Sequence, residues 1–417
     1  MSSPSSLQVN EELLADTEFF SSDERKQVLR SMFNLDRRRV LFGHGALASL
    51  GSECEQLGVH SVLLVRERAI AEVAAPVEAA LVEAGVTVTG VFADIVPNPT
   101  VASVDALAAF VAASEADAVI AVGGGSTMDT CKVGLAVATC GGSAIDYFGF
   151  DQFPQVARWP LICLPTTAGT GAEVSQVSVI VAEGGKQAVY SDHIQPRIAI
   201  VDPALSANMP AGLTATTGLD ALGHALECTA STKSNEIGDA VARESLRAGM
   251  PHMIRAIESG AADAEARYQM CRCSLLAGLL LSPINTGAAH ALGYGIEKVS
   301  FEKGNPVPHG TAVALVLPGV MEHNAPAVAD KYYFAAGVAG LDIAGSSREQ
   351  GVRAVAGWIE DLRRSFTPYA TLADAGLTEA DLPRMVEIGI QVRRLLEPNP
   401  VEVTEDDAVH IYRAVLA

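Results

Sequence analysis

The sequence has no long hydrophobic run, no paired cysteine motif and no excess of positive charge. The most apolar stretch, around Leu275–Leu281, is far shorter than the roughly 20 residues that a membrane-spanning helix needs. The seven cysteines are scattered without a C-x-x-C pair, a pattern typical of reduced thiols rather than of a zinc or redox module. The net charge of −20 repels nucleic acid phosphates and anionic lipids. We therefore expect neither a membrane span nor a nucleic acid partner.

The composition favours a globular enzyme that acts on a small molecule. The first residues lack the basic flank and apolar core of a signal peptide, and their acidic side chains are atypical of a transit peptide, so we expect a cytoplasmic protein. The chain has 417 residues, of which 49% are hydrophobic and 19% are charged. Such a chain can bury a large core and divide it between two domains.

Two kinds of periodicity divide the chain. From Arg39 to about Asp202, short β-branched runs alternate with helical patterns, which predicts a mostly parallel sheet with crossover helices. After Pro203 the strands stop, and Ala- and Leu-rich helical patterns follow over 213–230, 239–258 and 264–281. The predicted strands are Val40–Phe42, Ser61–Val65, Thr87–Phe92, Ala118–Val122, Pro160–Leu164 and Arg197–Val201, with a hairpin turning at Gly184-Gly185.

These patterns predict three segments. Residues 1–32 form an N-terminal extension with an amphipathic stretch at Ser22–Phe33, residues 33–205 form an α/β domain, and residues 206–417 form a helical domain. The boundary falls near 203–211, where two prolines flank Met209.

A glycine-rich loop follows the predicted strand Ala118–Val122. It contains Gly123, Gly124, Gly125 and Ser126, and a helical pattern begins directly after it. Consecutive glycines let the backbone approach a ligand closely, and the first amides of a helix bind anions. We therefore predict a pyrophosphate site here, the alternative being a tight strand-to-helix turn.

Two further loops suit a dinucleotide. Glu67 follows the strand Ser61–Val65 and can accept a hydrogen bond from an adenosine ribose, which favours NAD, although Arg66 and Arg68 leave NADP open. A preceding Gly43-His-Gly45 pattern is only a weak dinucleotide fingerprint. The loop after Pro160–Leu164 offers the hydroxyls of Thr166, Thr167 and Thr170 to a nicotinamide, ribose or phosphate, unless they merely cap the loop.

Four side chains in the second half could bind one cation. Asp220 and His224 lie four residues apart on a helical pattern, so they emerge from one face, in a stretch where an unpaired carboxylate is costly to bury. His290 is embedded among small apolar residues, and His309 stands at the start of another helical pattern. A surface pair, a core histidine and a capping histidine would explain them separately. One Fe²⁺ or Zn²⁺ site explains all four.

The motifs resemble those of the iron-containing (group III) alcohol dehydrogenases from about Phe33 to the C-terminus. GGGSTMDTCK is similar to the family's pyrophosphate loop, PTTAGTGAEVS to its nicotinamide-side loop, and PRIAIVDPAL with TGLDALGHALE to its signature ahead of the metal helix; VPNPTV and EPNPVEVTEDDAVHIYRAVL are also similar to family segments. The resemblance implies a dehydroquinate synthase-like fold, with a Rossmann-like α/β domain, an all-α domain, and metal and substrate between them. It implies Asp220, His224, His290 and His309 as metal ligands and Asp129 as a cofactor-side residue.

The sequence departs from the family at two places. Many members have a histidine four residues after the third ligand, where this chain has Tyr294. The segment between His290 and His309 is also longer than in simple alcohol dehydrogenases of the family. We predict Tyr294 and His290 as the catalytic residues, with Tyr294 or a water chain moving the proton. Four cations, Lys298, Lys303, Arg393 and Arg394, suggest an anionic aldehyde, although such residues usually only solvate a surface.

We therefore expect an NAD(P)-linked enzyme that transfers hydride between the nicotinamide and a primary alcohol or aldehyde, with the ion acting on the substrate oxygen. A homodimer or larger homo-oligomer is expected. Within the same fold, the alternatives are a hydroxyacid-oxoacid transhydrogenase, a maleylacetate reductase-like enzyme and a dehydroquinate synthase-like lyase that uses NAD transiently. A catalytically silent binding protein is the alternative from another class.

Overall fold

The computed structural model describes residues 39–183 and 185–417. The predicted N-terminal extension, residues 1–32, and the amphipathic stretch Ser22–Phe33 lie outside them. The first half contains β1 (Arg39–Phe42), α1 (Leu50–Leu57), β2 (Ser61–Arg66), α2 (Ala71–Glu83), β3 (Thr87–Phe92), α3 (Val101–Ala112), β4 (Ala118–Gly123), α4 (Gly125–Cys140), β5 (Gly149–Phe150), β6 (Leu161–Pro165), β7 (Val177–Ala182), β8 (Gly185–Tyr190) and β9 (Ile198–Val201). Each of the six predicted strands matches an observed one to within a residue or two.

A six-stranded sheet with the order β1-β9-β6-β4-β2-β3 forms the centre of this half, and its paired strands are parallel. Alternate residues of β2 face opposite sides: Leu64 packs with the core that includes Val77 of α2, and Leu63 packs with the core that includes Met128 of α4. Helices therefore cover both faces, as a parallel sheet requires. The α/β prediction is confirmed.

The strand order reverses between β2 and β4. The chain runs from β2 outward to β3 and then crosses back to β4 and β6. At such a reversal the helices that follow neighbouring strands leave on opposite faces, and a crevice opens at the carboxyl ends of the strands. Glu67 and the glycine loop lie at the ends of β2 and β4, on the two sides of this crevice.

A second, three-stranded sheet with the order β5-β8-β7 extends the α/β half toward the helices. The predicted hairpin is confirmed, because β7 and β8 pair antiparallel with Ala182 opposite Gly185. Asp129 of α4 accepts a hydrogen bond from the Val179 backbone N–H at 2.9 Å, which ties the hairpin to the helix that follows the glycine loop.

The second half is helical, as predicted. It contains α5 (Ala211–Ala230), α6 (Glu236–Gly249), α7 (Met253–Ser259), α8 (Ala264–Leu281), α9 (Ala288–Glu302), α10 (His309–Val338), α11 (Arg348–Phe366), α12 (Leu382–Gln391), α13 (Arg393–Leu396) and α14 (Glu405–Ala414). The pattern over 239–258 is divided into α6 and α7, since Pro251 lies between them and cannot donate a helical hydrogen bond.

Helix α5 lies at the centre of the helical half. Every residue from Gly218 to Ala230 is buried, and α6, α8 and α10 pack around the helix. Its Asp220 and His224 are therefore held in a rigid interior rather than on a surface. In the part of the chain that the structure describes, no helix combines the length and apolarity required to cross a bilayer.

Candidate metal and dinucleotide site

Three helices bring the four sequence-predicted metal ligands together. Asp220 and His224 lie one turn apart on α5, His290 is in the first turn of α9, and His309 begins α10. The Asp220 Oδ1 atom is 3.7 Å from His224 Nε2, 3.5 Å from His290 Nε2 and 3.6 Å from His309 Nε2. The rings of His224 and His290 stack with centroids 4.7 Å apart. One carboxylate oxygen thus faces three imidazole nitrogens.

The polar atoms at this point lack protein partners. Asp220 and His290 are each 3% exposed, yet Asp220 Oδ1 and His290 Nε2 have no hydrogen-bond partner among the described residues. Buried polar groups are normally paired, because an unpaired one costs about 1–3 kcal/mol. The ligand atoms of Asp220, His290 and His309 all lie within 4.8 Å of one another, so a single cation could contact them all.

The charges around the cluster also favour a cation. Burial lowers the pKa of His224 to about 4, so its imidazole is neutral at physiological pH and has a free lone pair. Burial also lowers the pKa of His290, but the carboxylates of Glu227 and Asp220 outweigh it and raise this pKa to about 10. These two anions stabilise positive charge at the centre of the cluster, where a metal ion competes with a proton.

Glu227 orients His290, a role the sequence interpretation missed. Its Oε2 accepts a hydrogen bond from His290 Nδ1, and its Oε1 accepts one from the Ala289 backbone N–H at 2.6 Å. A carboxylate on the far nitrogen fixes the tautomer of a ligating histidine, so that Nε2 presents its lone pair. The signal was available, because Glu227 follows His224 by three residues and Asp220 by seven on the same helical face.

Glu297 and Lys186 form a second, longer relay behind His309. His309 Nδ1 lies 2.6 Å from Glu297 Oε1, and Glu297 Oε2 accepts a hydrogen bond from Lys186 Nζ. Lys186 belongs to the hairpin strand β8, so this relay joins the two halves of the molecule across the cleft. In contrast, His224 Nδ1 has no partner among the described residues.

The glycine loop is closely packed against the threonine loop that follows β6. A Cβ on Gly125 would lie 2.7 Å from Thr170 Cγ2, and one on Gly124 would lie 3.2 Å from Thr167 Cγ2. The φ of Gly124 is −90°, so space rather than backbone conformation demands glycine there. Helix α4 begins at Gly125, and the first amides of a helix lack intrahelical acceptors, so they are suited to bind an anion.

One cavity of about 200 Å³ contains parts of both predicted sites. From the α/β half it is lined by Gly125, Ser126, Asp129 and Thr170, and from the helical half by Asp220, His224, His290, Tyr294 and His309. Below it is called the inner cavity. The predicted phosphate loop and the predicted ligands therefore face one another across the cleft.

The remaining predicted residues lie outside the lining of the inner cavity. Gly123, Gly124, Thr166 and Thr167 form the packed base of the two loops, where Thr166 donates its backbone N–H to the Gly123 carbonyl at 2.9 Å. Glu67 is half-buried at the same edge of the sheet, and burial raises its pKa. The Gly43-His-Gly45 turn follows the edge strand β1, which β9 and β6 separate from β4.

Tyr294 lies beside the cluster with its ring centroid 5.8 Å from that of His309. It is 8% exposed, and its hydroxyl accepts a hydrogen bond from Arg394 Nη2 at 3.3 Å. Of the four suggested substrate-binding cations, Arg394 alone lines the inner cavity, while Lys303 instead pairs with Asp381 at 2.7 Å.

Comparison with known proteins shows the family of this chain. The profile of the iron-containing alcohol dehydrogenases matches residues 37–203, and that of the C-terminal region of the Fe-containing alcohol dehydrogenase family matches residues 214–416. Choline dehydrogenase of Bacillus subtilis (strain 168) is 37% identical over 354 residues, covering 84% of this chain and 85% of that protein.

Two solved structures have a similar fold. A 1,3-propanediol oxidoreductase superposes with a TM-score of 0.85 at 30% identity, covering 92% of this chain and 100% of the other. The sulfoacetaldehyde reductase from Bifidobacterium kashiwanohense, solved with NAD⁺, has a TM-score of 0.80 at 30% identity and covers 92% and 98%. The chain belongs to the iron-containing alcohol dehydrogenase family.

Proposed function

We propose that this protein is a metal-dependent, NAD-linked enzyme that interconverts a primary alcohol and its aldehyde. Asp220, His224, His290 and His309 hold one Fe²⁺ or Zn²⁺, and Gly123, Gly124, Gly125 and Ser126 hold the cofactor pyrophosphate. The observation that carries the proposal is the convergence of three histidine Nε2 atoms on one unpaired oxygen of Asp220, in a cavity whose opposite wall is the start of α4.

The metal would supply Lewis acidity toward the substrate oxygen, and the nicotinamide would exchange hydride with the carbon. The chain supplies position and proton transfer. Glu227 and Glu297 fix the rings of His290 and His309, so that both Nε2 atoms face Asp220 Oδ1. Tyr294, beside His309, exchanges the hydroxyl proton. Asp129 and Thr170 line the cofactor side of the cavity, and Thr166 and Thr167 support the glycine loop from its packed base.

The surroundings of Glu67 favour NAD over NADP. Arg68 pairs with Asp94, and Arg66 lies 3.7 Å from Glu78, so both nearby guanidinium groups already have acidic partners. Glu67 itself can accept the ribose hydroxyl hydrogen bond and would repel a 2′-phosphate. We therefore expect a higher kcat/KM with NADH than with NADPH.

The test is steady-state absorbance at 340 nm with anaerobically metal-loaded enzyme, NADH and a panel of aldehydes. Continuous, aldehyde-dependent loss of NADH that a chelator abolishes is the expected result. Turnover of a hydroxy acid with an oxo acid in the absence of added nicotinamide would indicate a transhydrogenase instead. Product formation without net change in NADH would indicate the lyase alternative.

A further inference from the structure

Arg394 lies where the inner cavity opens into a second, outer cavity of about 690 Å³. Asn98, Lys186, Tyr294 and Arg394 line both cavities, so the outer cavity leads directly to the candidate metal site. Leu395 and Leu396 anchor α13 in the core, and Asn285 Nδ2 donates to the Arg394 carbonyl at 3.3 Å. The backbone that carries this guanidinium is therefore fixed.

Two phenols orient the Arg394 guanidinium. Nη1 donates a hydrogen bond to Tyr190 Oη, and Nη2 donates one to Tyr294 Oη at 3.3 Å. The guanidinium carbon also lies 5.2 Å from the Tyr190 ring centroid and 5.8 Å from that of Tyr294. Phe150 stacks on Tyr190 with ring centroids 4.7 Å apart and thereby restricts the Tyr190 ring. These partners are neutral, so they position the positive charge without cancelling it.

Arg393 and Arg394 are the two lining cations that have no ion pair among residues 39–183 and 185–417. Arg393 is exposed to solvent, whereas Arg394 is half-buried and lines both cavities. Removing a charge from water without a counter-ion is costly, and a bidentate guanidinium is suited to a planar or tetrahedral oxoanion. The other lining cations each have an acidic neighbour: Lys186 has Glu297, Lys298 has Glu302 and Arg384 has Glu387.

The outer cavity has a charge opposite to that of the whole protein. Five of its lining residues are Lys or Arg and one is acidic, in a chain whose net charge is −20. The acidic one, Glu297, is bound by both Lys186 and His309. A positively lined entrance in an acidic protein concentrates small anions and repels small cations.

We propose that Arg394 is a specificity-determining residue that binds an anionic group of the substrate. The substrate is then a hydroxy acid with a terminal alcohol, or the matching aldehyde, and its far end is a carboxylate or sulfonate. The inference rests on the proposed function. The reaction is unchanged: the carbinol carbon loses a hydride to NAD⁺, the hydroxyl loses a proton, and the anionic group forms no bond. The same guanidinium disfavours a cationic alcohol such as choline.

The first test compares probes that differ in charge. kcat/KM is measured for 4-hydroxybutyrate, isethionate, 1-butanol and choline with the metal-loaded wild-type and Arg394→Met proteins. The wild type should prefer one of the two anions, and which one identifies the carboxylate or the sulfonate. The substitution should lower kcat/KM for that anion about 10- to 100-fold more than it lowers kcat/KM for 1-butanol, as loss of a charge-assisted hydrogen bond to the anion predicts.

Lys303→Met is the matched control, because it removes a cation that is paired with Asp381 at the surface, and it should leave the selectivity unchanged. Equal loss for 4-hydroxybutyrate and 1-butanol, or a wild type that prefers 1-butanol or choline, would overturn the proposal. So would weakened NAD⁺ binding in Arg394→Met, since it would place the guanidinium on the cofactor instead.

A second measurement does not depend on turnover. Calorimetry with butyrate and ethanesulfonate, which lack the reacting hydroxyl, should show saturable binding of one of them that Arg394→Met weakens about tenfold or more. No saturable binding, or equal binding by the variant, would contradict the role of Arg394. If this binding is seen while no alcohol is oxidised, the proposed function fails and the anion site stands.

Discussion

The two walls of the cleft are built for binding in opposite ways. The α/β wall offers backbone amides to a ligand. Its glycines pack so closely on the threonine loop that Gly125 has no room for a Cβ. The helical wall offers buried side chains, each oriented by further side chains, such as Glu227 behind His290. The first wall is therefore sensitive to an added atom, and the second is sensitive to the loss of a functional group.

The largest effect should come from removing the shared oxygen of the helical wall. Asp220→Ala leaves three imidazoles without the anion that faces all of them, so we expect loss of the ion and a fall in kcat/KM of about 1,000-fold or more. Metal content and NADH oxidation are measured on the same sample. Asp361→Ala, on the exposed face of α11, is the control. Full activity of Asp220→Ala would remove this residue from the site.

A smaller effect should follow from neutralising the two carboxylates, Glu227 and Glu297, that orient the ligating histidines. Glu227→Gln keeps the shape of the side chain but removes the negative charge that faces His290. The metal affinity, measured by chelator competition, should therefore fall about 10- to 100-fold. Glu297→Gln should cost less, because Lys186 already neutralises part of the Glu297 charge. Glu302→Gln, near the exposed end of α9, controls for the lost charge. If Glu297→Gln binds the metal more weakly than Glu227→Gln does, Lys186 does not reduce the influence of Glu297 on the site.

The smallest of these effects should come from the α/β wall. Gly125→Ala places a methyl group 2.7 Å from Thr170 Cγ2. Such overpacking typically costs about 1–3 kcal/mol, so the Kd for NADH should rise about tenfold. The metal content should not change. Gly357→Ala, which meets open space on α11, is the matched control. Adding Thr170→Ser removes the clashing methyl group and should restore part of the affinity. If Gly125→Ala instead binds NADH normally, close packing of the two loops does not govern cofactor affinity.

The same difference between the walls decides what the sequence could predict. The α/β wall uses contiguous motifs after strands, so its loops and all six strands of the large sheet were predicted from local patterns. On the helical wall, Asp220 and His224 were found because helical spacing puts them on one face, and Glu227 shares that spacing. The relay from Lys186 to Glu297 could not be predicted, since it joins a hairpin to a helix 111 residues away.

Arg394 is a second residue whose role depends on contacts with residues far away in the sequence. The sequence suggested four cations at the substrate without distinguishing among them, because local patterns do not show which charges are paired. The difference appears only when Tyr190, 204 residues away, and Tyr294 are placed against Arg394, and when Asp381 is placed against Lys303. Long-range pairing of charges therefore limits prediction of the substrate more than prediction of the fold.

The proposed metal site lies where the two walls of the cleft meet and is formed by Asp220, His224, His290 and His309. An anomalous difference map tests this site, recorded at the iron or zinc absorption edge from crystals of the anaerobically metal-loaded protein with NAD⁺. We expect one strong peak per chain, about 2.0–2.2 Å from an Asp220 oxygen and from the Nε2 atoms of His224, His290 and His309. A peak elsewhere, or a well-ordered cleft with no peak in metal-loaded crystals, would contradict it.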